Sequence, residues 1–296
     1  MNDQEFYKKK IHSAEELHSI VRSMKVLSSV SIRQFENAVI SLDNYFKTIE
    51  HAFQVMLINS CTHLSGDEFM DTNTQTGVLI FGSGHGLCGA FDEQINHYIE
   101  QKITSNQLMD CRFIVTGRRL GAMFERGYKT DNILEMPGSV EGIGDVVYRL
   151  IADIEQWRSV YKLNRILLVN HHPTGKGTYS PRLQQLFPLN EPWLMHIRDR
   201  DWPTNNLPQM MTDPLRFFPN IIRQYIWISL FRSISESLAS EHISRLSSMT
   251  LAEKKIAEKV HELKSKYSHA RHAAITDELL DILSGYIAVT ENEPAG

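Results

Sequence analysis

Residues 11–56 read IHSAEELHSIVRSMKVLSSVSIRQFENAVISLDNYFKTIEHAFQVM and contain neither glycine nor proline. Alternate steps of three and four from Ile11 pass through Ala14, His18, Val21, Lys25, Ser28, Ile32, Phe35, Val39, Leu42, Phe46, Ile49, Phe53 and Met56. Eleven of these fourteen positions are apolar. An apolar repeat of about 3.5 residues keeps one helix face turned toward a partner helix, so the stretch reads as half of a coiled coil. The polar exceptions, His18, Lys25 and Ser28, all fall in the first half of the stripe.

The breakers of regular structure are distributed in the same sense. Residues 1–65 and 220–284 hold no glycine or proline, whereas 66–219 hold every glycine except Gly285 and Gly296, and nine of the ten prolines. Inside a helix Gly costs about 1 kcal/mol and Pro about 3 kcal/mol, so two long helices enclosing a mixed domain are expected. A second stripe supports this: Met249, Ala252, Ile256, Val260, Leu263, Tyr267, Ala270 and Ala274. Pro219 and Gly285 stand where start and stop signals belong. A helix over 220–284 would be roughly 95 Å long at 1.5 Å per residue, too long to bury itself in one core. The N-terminal helix is the available partner. The expected fold is therefore α/β plus long helices: an antiparallel coiled coil of the N- and C-terminal helices (1–65 and 220–296) with a Rossmann-like α/β domain inserted at 66–219.

Within that insert, GVLIF (77–81), RFIVTG (112–117) and NRILLVN (164–170) are strand candidates. AFDEQINHYIEQKI, RRLGAMFERG and residues 140–160 read as the helices between them. Short apolar runs alternating with helices indicate βαβ units and a mostly parallel sheet.

Composition narrows the function. The 296 residues carry a net charge of −4, and residues 1–60 balance seven Lys/Arg against seven Asp/Glu. A nucleic-acid partner usually needs a clustered basic excess, so none is expected. No signal-type stretch follows Lys8–Lys10, and the densest apolar run, YIWISLF at 225–231, is far too short to span a bilayer. The chain is expected in the cytoplasm or peripheral to a membrane through partners. Cys61, Cys88 and Cys111 form no CxxC pair and read as free thiols.

GSGHGLCGAF (82–91) poses the sharpest chemical question, because Gly84, Gly86 and Gly89 have the spacing of a dinucleotide loop between a strand and a helix. That motif also needs an acidic residue at the end of the next strand to hold a ribose. The next strand ends at Thr116–Gly117, and Asp110 precedes it. TGKGTY (174–179) is no P-loop, since Gly177 follows Lys176 where Ser or Thr should hold Mg²⁺; it reads as a surface loop. His171 and His172 are adjacent at a strand end and point to opposite faces, which disfavours a shared metal. No catalytic residue, cofactor or metal site is expected.

The ends carry a family resemblance. SIVRSMKVLSSVSIRQFE (19–36) resembles the N-terminal helix of the gamma subunit of F-type ATP synthases through Ile20, Arg22, Met24, Lys25 and Arg33. ESLASEHISRLSSMTLAEKKI (236–256), with Arg245 and Met249, is similar to that family's C-terminal segment. YSHARHAAITDELLDILSG (267–285), with Arg271 and Thr276, is similar to its last helix. GLCGAF, containing Gly86, Leu87, Cys88 and Gly89, is a family segment in the foot domain.

The resemblance implies a central-stalk rotor without catalytic residues of its own. The coil would turn inside three alpha and three beta subunits, and the foot would sit near the epsilon subunit and the c-subunit ring, on the cytoplasmic side of the inner membrane. Met24, Lys25, Arg33, Arg245, Arg271 and Thr276 would be its rotor–stator contacts. Exposed ion pairs, each worth about 0–1 kcal/mol, suit contacts that are repeatedly made and broken.

The chain departs from the pattern at Gly84–His85, where the family usually carries a charged pair, at His272 for Gln, and at Ser31 for Lys. Such departures fit a divergent copy, as in an alternative rotary ATPase pumping Na⁺ or H⁺. His85 and His272 also invite pH-dependent contacts. The competing readings are a Rossmann-type nucleotide enzyme with helical extensions and a coiled-coil adaptor with no rotary role.

Overall fold

The computed structural model describes residues 3–59, 75–103, 110–175, 177–206, 210 and 214–290. The elements run α1 (Asp3–Asn59), β1 (Thr76–Phe81), α2 (Phe91–Lys102), β2 (Arg112–Thr116), α3 (Arg118–Phe124), β3 (Lys129–Leu134), α4 (Ile143–Val160), β4 (Arg165–Gly175), β5 (Thr178–Phe187), α5 (Glu191–Asp199) and α6 (Pro214–Thr290). They form two compact units, one of residues 1–27 with 247–296, the other of residues 28–246. The boundaries at 65/66 and 219/220 expected from glycine and proline content do not coincide with this division. The first falls outside the described residues and the second lies within α6.

The first unit is a two-helix coil. Lys25 pairs with Glu253 (Nζ to Oε2, 2.5 Å) and Lys264 with Glu15 (2.7 Å), so the helices run antiparallel. Among its described residues Val21, Met249 and Leu263 are the buried apolar side chains. Ile11, Ala14, His18 and Lys25 of one stripe, and Ile256, Val260, Tyr267 and Ala270 of the other, are half-buried beside them. Two helices alone cannot enclose more than a narrow seam, which explains this gradation.

The second unit centres on a five-stranded sheet of order β3-β2-β1-β4-β5. β1 pairs in parallel with β2 and β4, β2 in parallel with β3, and β5 runs antiparallel to β4. Side chains alternate across a strand. Leu79 and Phe81 therefore join one core with Ile114, Ile166 and Leu168, while Val78 and Ile80 join the other with Phe113, Val115, Leu167 and Val169. The second core is closed by Ile95 and Ile99 of α2 and by Leu120 and Phe124 of α3. The first is closed by Val147, Leu150, Ile154 and Trp157 of α4, Phe35, Ile49, Phe53 and Met56 of α1, and Ile222, Ile226, Leu230 and Ile234 of α6. The insert, the C-terminal part of α1 and the N-terminal third of α6 thus share one hydrophobic core.

Three expectations are corrected. The sheet has β3 and β5 beyond the three strands anticipated. Both lie at sheet edges, where one-sided cover leaves a polar sequence; Pro181 sits in β5, in keeping with the restriction of strand prolines to edges. TGKGTY, expected as a surface loop, is the end of the β4–β5 hairpin: Gly175 pairs with Thr178, whose Oγ1 donates to the Gly175 carbonyl (2.6 Å). Lys176 itself lies outside the described residues. Pro219 does not start the last helix, which begins at Pro214 and continues through Gly285 to Thr290. The lost hydrogen bond and ring clash at Pro219 cost about 3 kcal/mol, which burial of Ile221, Ile222 and Ile226 against the core offsets.

Phe53→Ala should lower the stability of the larger unit by about 3–5 kcal/mol, the usual cost of emptying a core aromatic site. Ile58→Ala, at a position 43% exposed, should change it by less than about 0.5 kcal/mol. Urea denaturation followed by circular dichroism reads both; equal losses would contradict the packing described.

Candidate functional site

The glycine loop after β1 is tied to α6 by side chains of the segment ESLASEHISR. The Glu241 carboxylate accepts from the backbone N–H groups of Gly84 (2.9 Å) and His85 (3.1 Å). Arg245, one helical turn on, pairs with Glu241 and donates to the carbonyls of His85 (3.0 Å) and Gly86 (3.4 Å). Both side chains are nearly sealed from solvent, at 2% and 6% exposure. Ser244 donates to the Cys88 carbonyl (2.6 Å) and receives a bond from the Tyr179 hydroxyl (2.9 Å). On the other flank Ser83 donates through its N–H (2.7 Å) and hydroxyl (2.6 Å) to buried Asp92.

This geometry answers the question raised by the glycines. Consecutive N–H groups in a turn form a natural anion site. Here the anion is a carboxylate of the same chain, and a nucleotide phosphate would have to displace it. Gly89 has φ 63°, where an L side chain is strained. A Cβ at Gly117 would lie 2.5 Å from the Ser83 carbonyl oxygen, so that glycine lets α3 begin hard against the loop. Gly86 has open space around it and no left-handed φ, so its identity is not dictated by the fold. Leu87 is exposed and carries φ 65°, unusual for a residue with a side chain. Cys88 is a buried free thiol, its pKa raised chiefly by burial. Cys111 is also free and buried, pushed up to about 11; Cys61 lies outside the described residues.

A second carboxylate of the same segment grips the sheet. Glu236 accepts from Arg182 of β5 (2.5 Å), Arg232 (3.0 Å) and Asn170 of β4 (3.4 Å). Ser237 donates to the Phe81 carbonyl (3.3 Å). The serines that make this stretch distinctive are buried, small enough for close approach, and engaged with backbone carbonyls.

Of the residues named as rotor–stator contacts, Met24, Lys25, Arg271 and Thr276 belong to the first unit and Arg33 and Arg245 to the second. Arg33, Arg271 and Thr276 are exposed; Met24 and Lys25 are half-buried, Lys25 facing Glu253. The Lys25 ammonium holds the Glu253 carboxyl below its usual range, as Lys264 does for Glu15. Arg245, expected among the outward cations, instead has its guanidinium inside the chain. Sequence reading also missed the exposed apolar side chains off the seam. These include Leu17, Ile20, Val26 and Leu27 on α1, and Ile275, Leu279, Ile282 and Leu283 on α6. The positions 275, 279, 282 and 283 repeat at helical spacing, a signal available in the sequence.

His171 and His172 serve packing rather than ligation. His171 is fully buried, bonds the Phe91 carbonyl (3.0 Å) and is pushed down to about 4 by burial; His172 bonds the Ser180 carbonyl. Among the described residues, no three His, Cys, Asp or Glu side chains converge as metal ligands would, and no helix is long and apolar enough to cross a membrane. A groove of about 610 Å³ is lined by Tyr45, Tyr148, Ile151, Trp227 and their neighbours, none of them from the glycine loop.

Two long helices around a five-stranded insert, with a turn filled by its own carboxylate, define a structural subunit. The family model described as ATP synthase matches residues 4–289. The chain is 25% identical over 286 residues to the ATP synthase gamma chain of Bdellovibrio bacteriovorus, covering 93% of this chain and 95% of that one. It is 26% identical over 294 residues to the ATP synthase gamma chain of Sulfurovum sp., covering 94% and 96%. Among solved structures, a chain of the Euglena gracilis mitochondrial ATP synthase OSCP/F1/c-ring matches with TM-score 0.68 and 16% identity, covering 99% of this chain and 97% of that one. A chain of the rotor of the same synthase matches with TM-score 0.63 and 14% identity, covering 92% and 99%. The chain belongs to the ATP synthase family, as a gamma-type, non-catalytic central-stalk subunit of an F-type ATP synthase.

Burial holds His171 and His242 near pKa 4, below the unfolded value of about 6.5. For His242, Arg245 and His85 add to burial in bringing the value to about 4. Both imidazoles are neutral when folded and take up protons on unfolding, so stability is complete above about pH 6.5 and falls as the pH drops toward 4. Each contributes a loss on the order of 1–2 kcal/mol by pH 5. Urea midpoints measured between pH 7.5 and 5 should decline, and His171→Gln should flatten the decline. A flat profile for the unmodified chain would contradict the buried neutral rings.

Proposed function

We propose that this chain is the turning shaft between a c-subunit ring and a sleeve of three alpha and three beta subunits, with the epsilon subunit beside its α/β domain. Its assembly sits on the cytoplasmic side of the membrane, and its rotation links ion flow to ATP synthesis or hydrolysis at the beta subunits. The observation that carries this reading is the surface of the two-helix coil. Leu27, Leu251 and Ile282 are 65%, 62% and 70% exposed, more apolar area than a solvated coil needs, and suited to a close-fitting sleeve.

We assign Met24, Lys25, Arg33, Arg271 and Thr276 to the contacts made and broken with that sleeve. Lys25 has a second task within the chain, since its ion pair with Glu253 helps to register the two helices. The guanidinium of Arg245 is engaged internally, so its contribution is to the shape of the loop it holds. Exposed apolar side chains supplement the weak polar contacts, so the sleeve surface combines greasy and charged positions rather than ion pairs alone.

The assembled complex tests this. Arg33→Ala and Arg271→Ala should each lower ATP hydrolysis several-fold while alpha and beta still co-purify with the chain in unchanged proportion. Unchanged rates in both would remove these two residues from the contact surface. Calorimetric titration of the isolated chain with ATP and with NAD should register no micromolar binding; a micromolar isotherm would favour the nucleotide-enzyme reading. Failure of alpha and beta to co-purify with the unmodified chain would favour the adaptor.

A further inference from the structure

We propose that Glu241 and Arg245 are positioning residues whose task is to lock the glycine loop to α6, so that the α/β domain and the shaft helix turn without slack. The inference rests on the central-stalk function and is independent of which residues touch the sleeve.

The loop would be a compliant joint without them. Its residues 84–87 are exposed, and Gly84 and Gly86 carry no side chain to pack. The lock supplies what the loop lacks. One carboxylate takes two adjacent N–H groups, and one guanidinium takes the two following carbonyls while pairing with that carboxylate. Four consecutive backbone bonds over Gly84–Gly86 constrain the loop along its length and across it, which a single contact does not. Charge-assisted bonds between groups this thoroughly shielded from water are stronger than neutral ones and strengthen one another.

Leu87 reports the same rigidity. A left-handed φ at a residue with a side chain persists only where the surroundings over-determine the backbone. Here Arg245 holds the preceding carbonyls and Ser244 the following one. The position in the chain suits a torque joint: Arg245 is the penultimate α6 residue of the larger compact unit, and α6 continues beyond it as one helix of the coil. Torque delivered to the α/β domain reaches α6 through this contact as well as through the shared core, and angular play at this joint would be lost work.

The test uses the assembled complex with the sleeve immobilised and a bead on the α/β domain, reading the angular spread of the stalled rotor. Rotation of the unmodified complex establishes the central-stalk reading first, so that its failure is distinguishable from failure of the lock. Glu241→Ala empties the carboxylate position and leaves Arg245 with the Gly84 and His85 N–H groups, an anion site without its anion. Its angular spread should more than double, and millimolar acetate or inorganic phosphate should return it toward the original value, because either anion fits the vacated site. A merely structural loss would not be reversed by a small anion. An unchanged spread, or a widened spread that neither anion narrows, overturns the proposal. If Glu241→Ala does not assemble, Arg245→Lys keeps the charge pair while losing the fork to the two carbonyls. Its spread should widen, and an original spread there overturns the proposal.

Discussion

The seam between α1 and α6 is the constraint on which the rest depends. A helix of 77 residues has no globular core large enough to hold it, and its stability must come from a partner along its length. α1 is that partner, and residues 1–65 and 220–284 are free of glycine and proline, so that most of the seam is not interrupted. Where only the two helices are present, the seam is narrow and reinforced by the pairs Lys25–Glu253 and Lys264–Glu15. In the larger unit the same two helices form one wall of the sheet's core, and there Phe35, Ile49, Phe53 and Met56 are buried outright. The polar positions His18 and Lys25 fall on the thinly covered part of the stripe, where a fully apolar seam would have little to bury against. Ser28 is a different case: it is buried, a small side chain where the larger unit begins.

The segment ESLASEHISR joins the helical part to the α/β part with polar contacts added to the apolar packing of Leu238 and Ala239. Glu236 holds β4 and β5, Glu241 and Arg245 hold the loop after β1, and Ser237 and Ser244 bind backbone carbonyls directly. Breaking one member of such a buried set leaves a charge without its partner, a strongly destabilising event of about 3–5 kcal/mol. The glycine-rich turn resembles a phosphate loop because it presents N–H groups in the same way. It differs in what fills it, and this difference separates a structural subunit from a nucleotide enzyme built on a similar insert.

Much of the fold was legible because long-range order here is written in local patterns. The seven-residue stripe identified α1 residue by residue, and all fourteen of its positions are buried or half-buried. β1, β2 and β4 were legible because central parallel strands are apolar on both faces. β3 and β5 were not, since an edge strand such as KTDNIL or TYSPRLQQLF carries polar residues on its uncovered side. The early start of α6 was hidden because a proline reads locally as a boundary, while its tolerance at Pro219 is set by tertiary packing of the isoleucines beyond it. Of the candidate site, Lys25 was legible as a polar position on the stripe, but its pairing with Glu253 was not. The inward turn of Arg245 was not, because its loop partners His85 and Gly86 are 160 and 159 residues away in sequence.

The account treats α1 and α6 of the coil as one rigid shaft that turns as a piece. Replacing Lys25 and Glu253 by cysteine and joining them with a short bifunctional reagent, in the assembled complex, tests that claim most directly. A single shaft predicts that cross-linked complexes hydrolyse ATP at the rate of uncross-linked ones. Loss of hydrolysis on cross-linking, recovered when the link is cleaved, would show that the two helices must move against each other and would contradict the account.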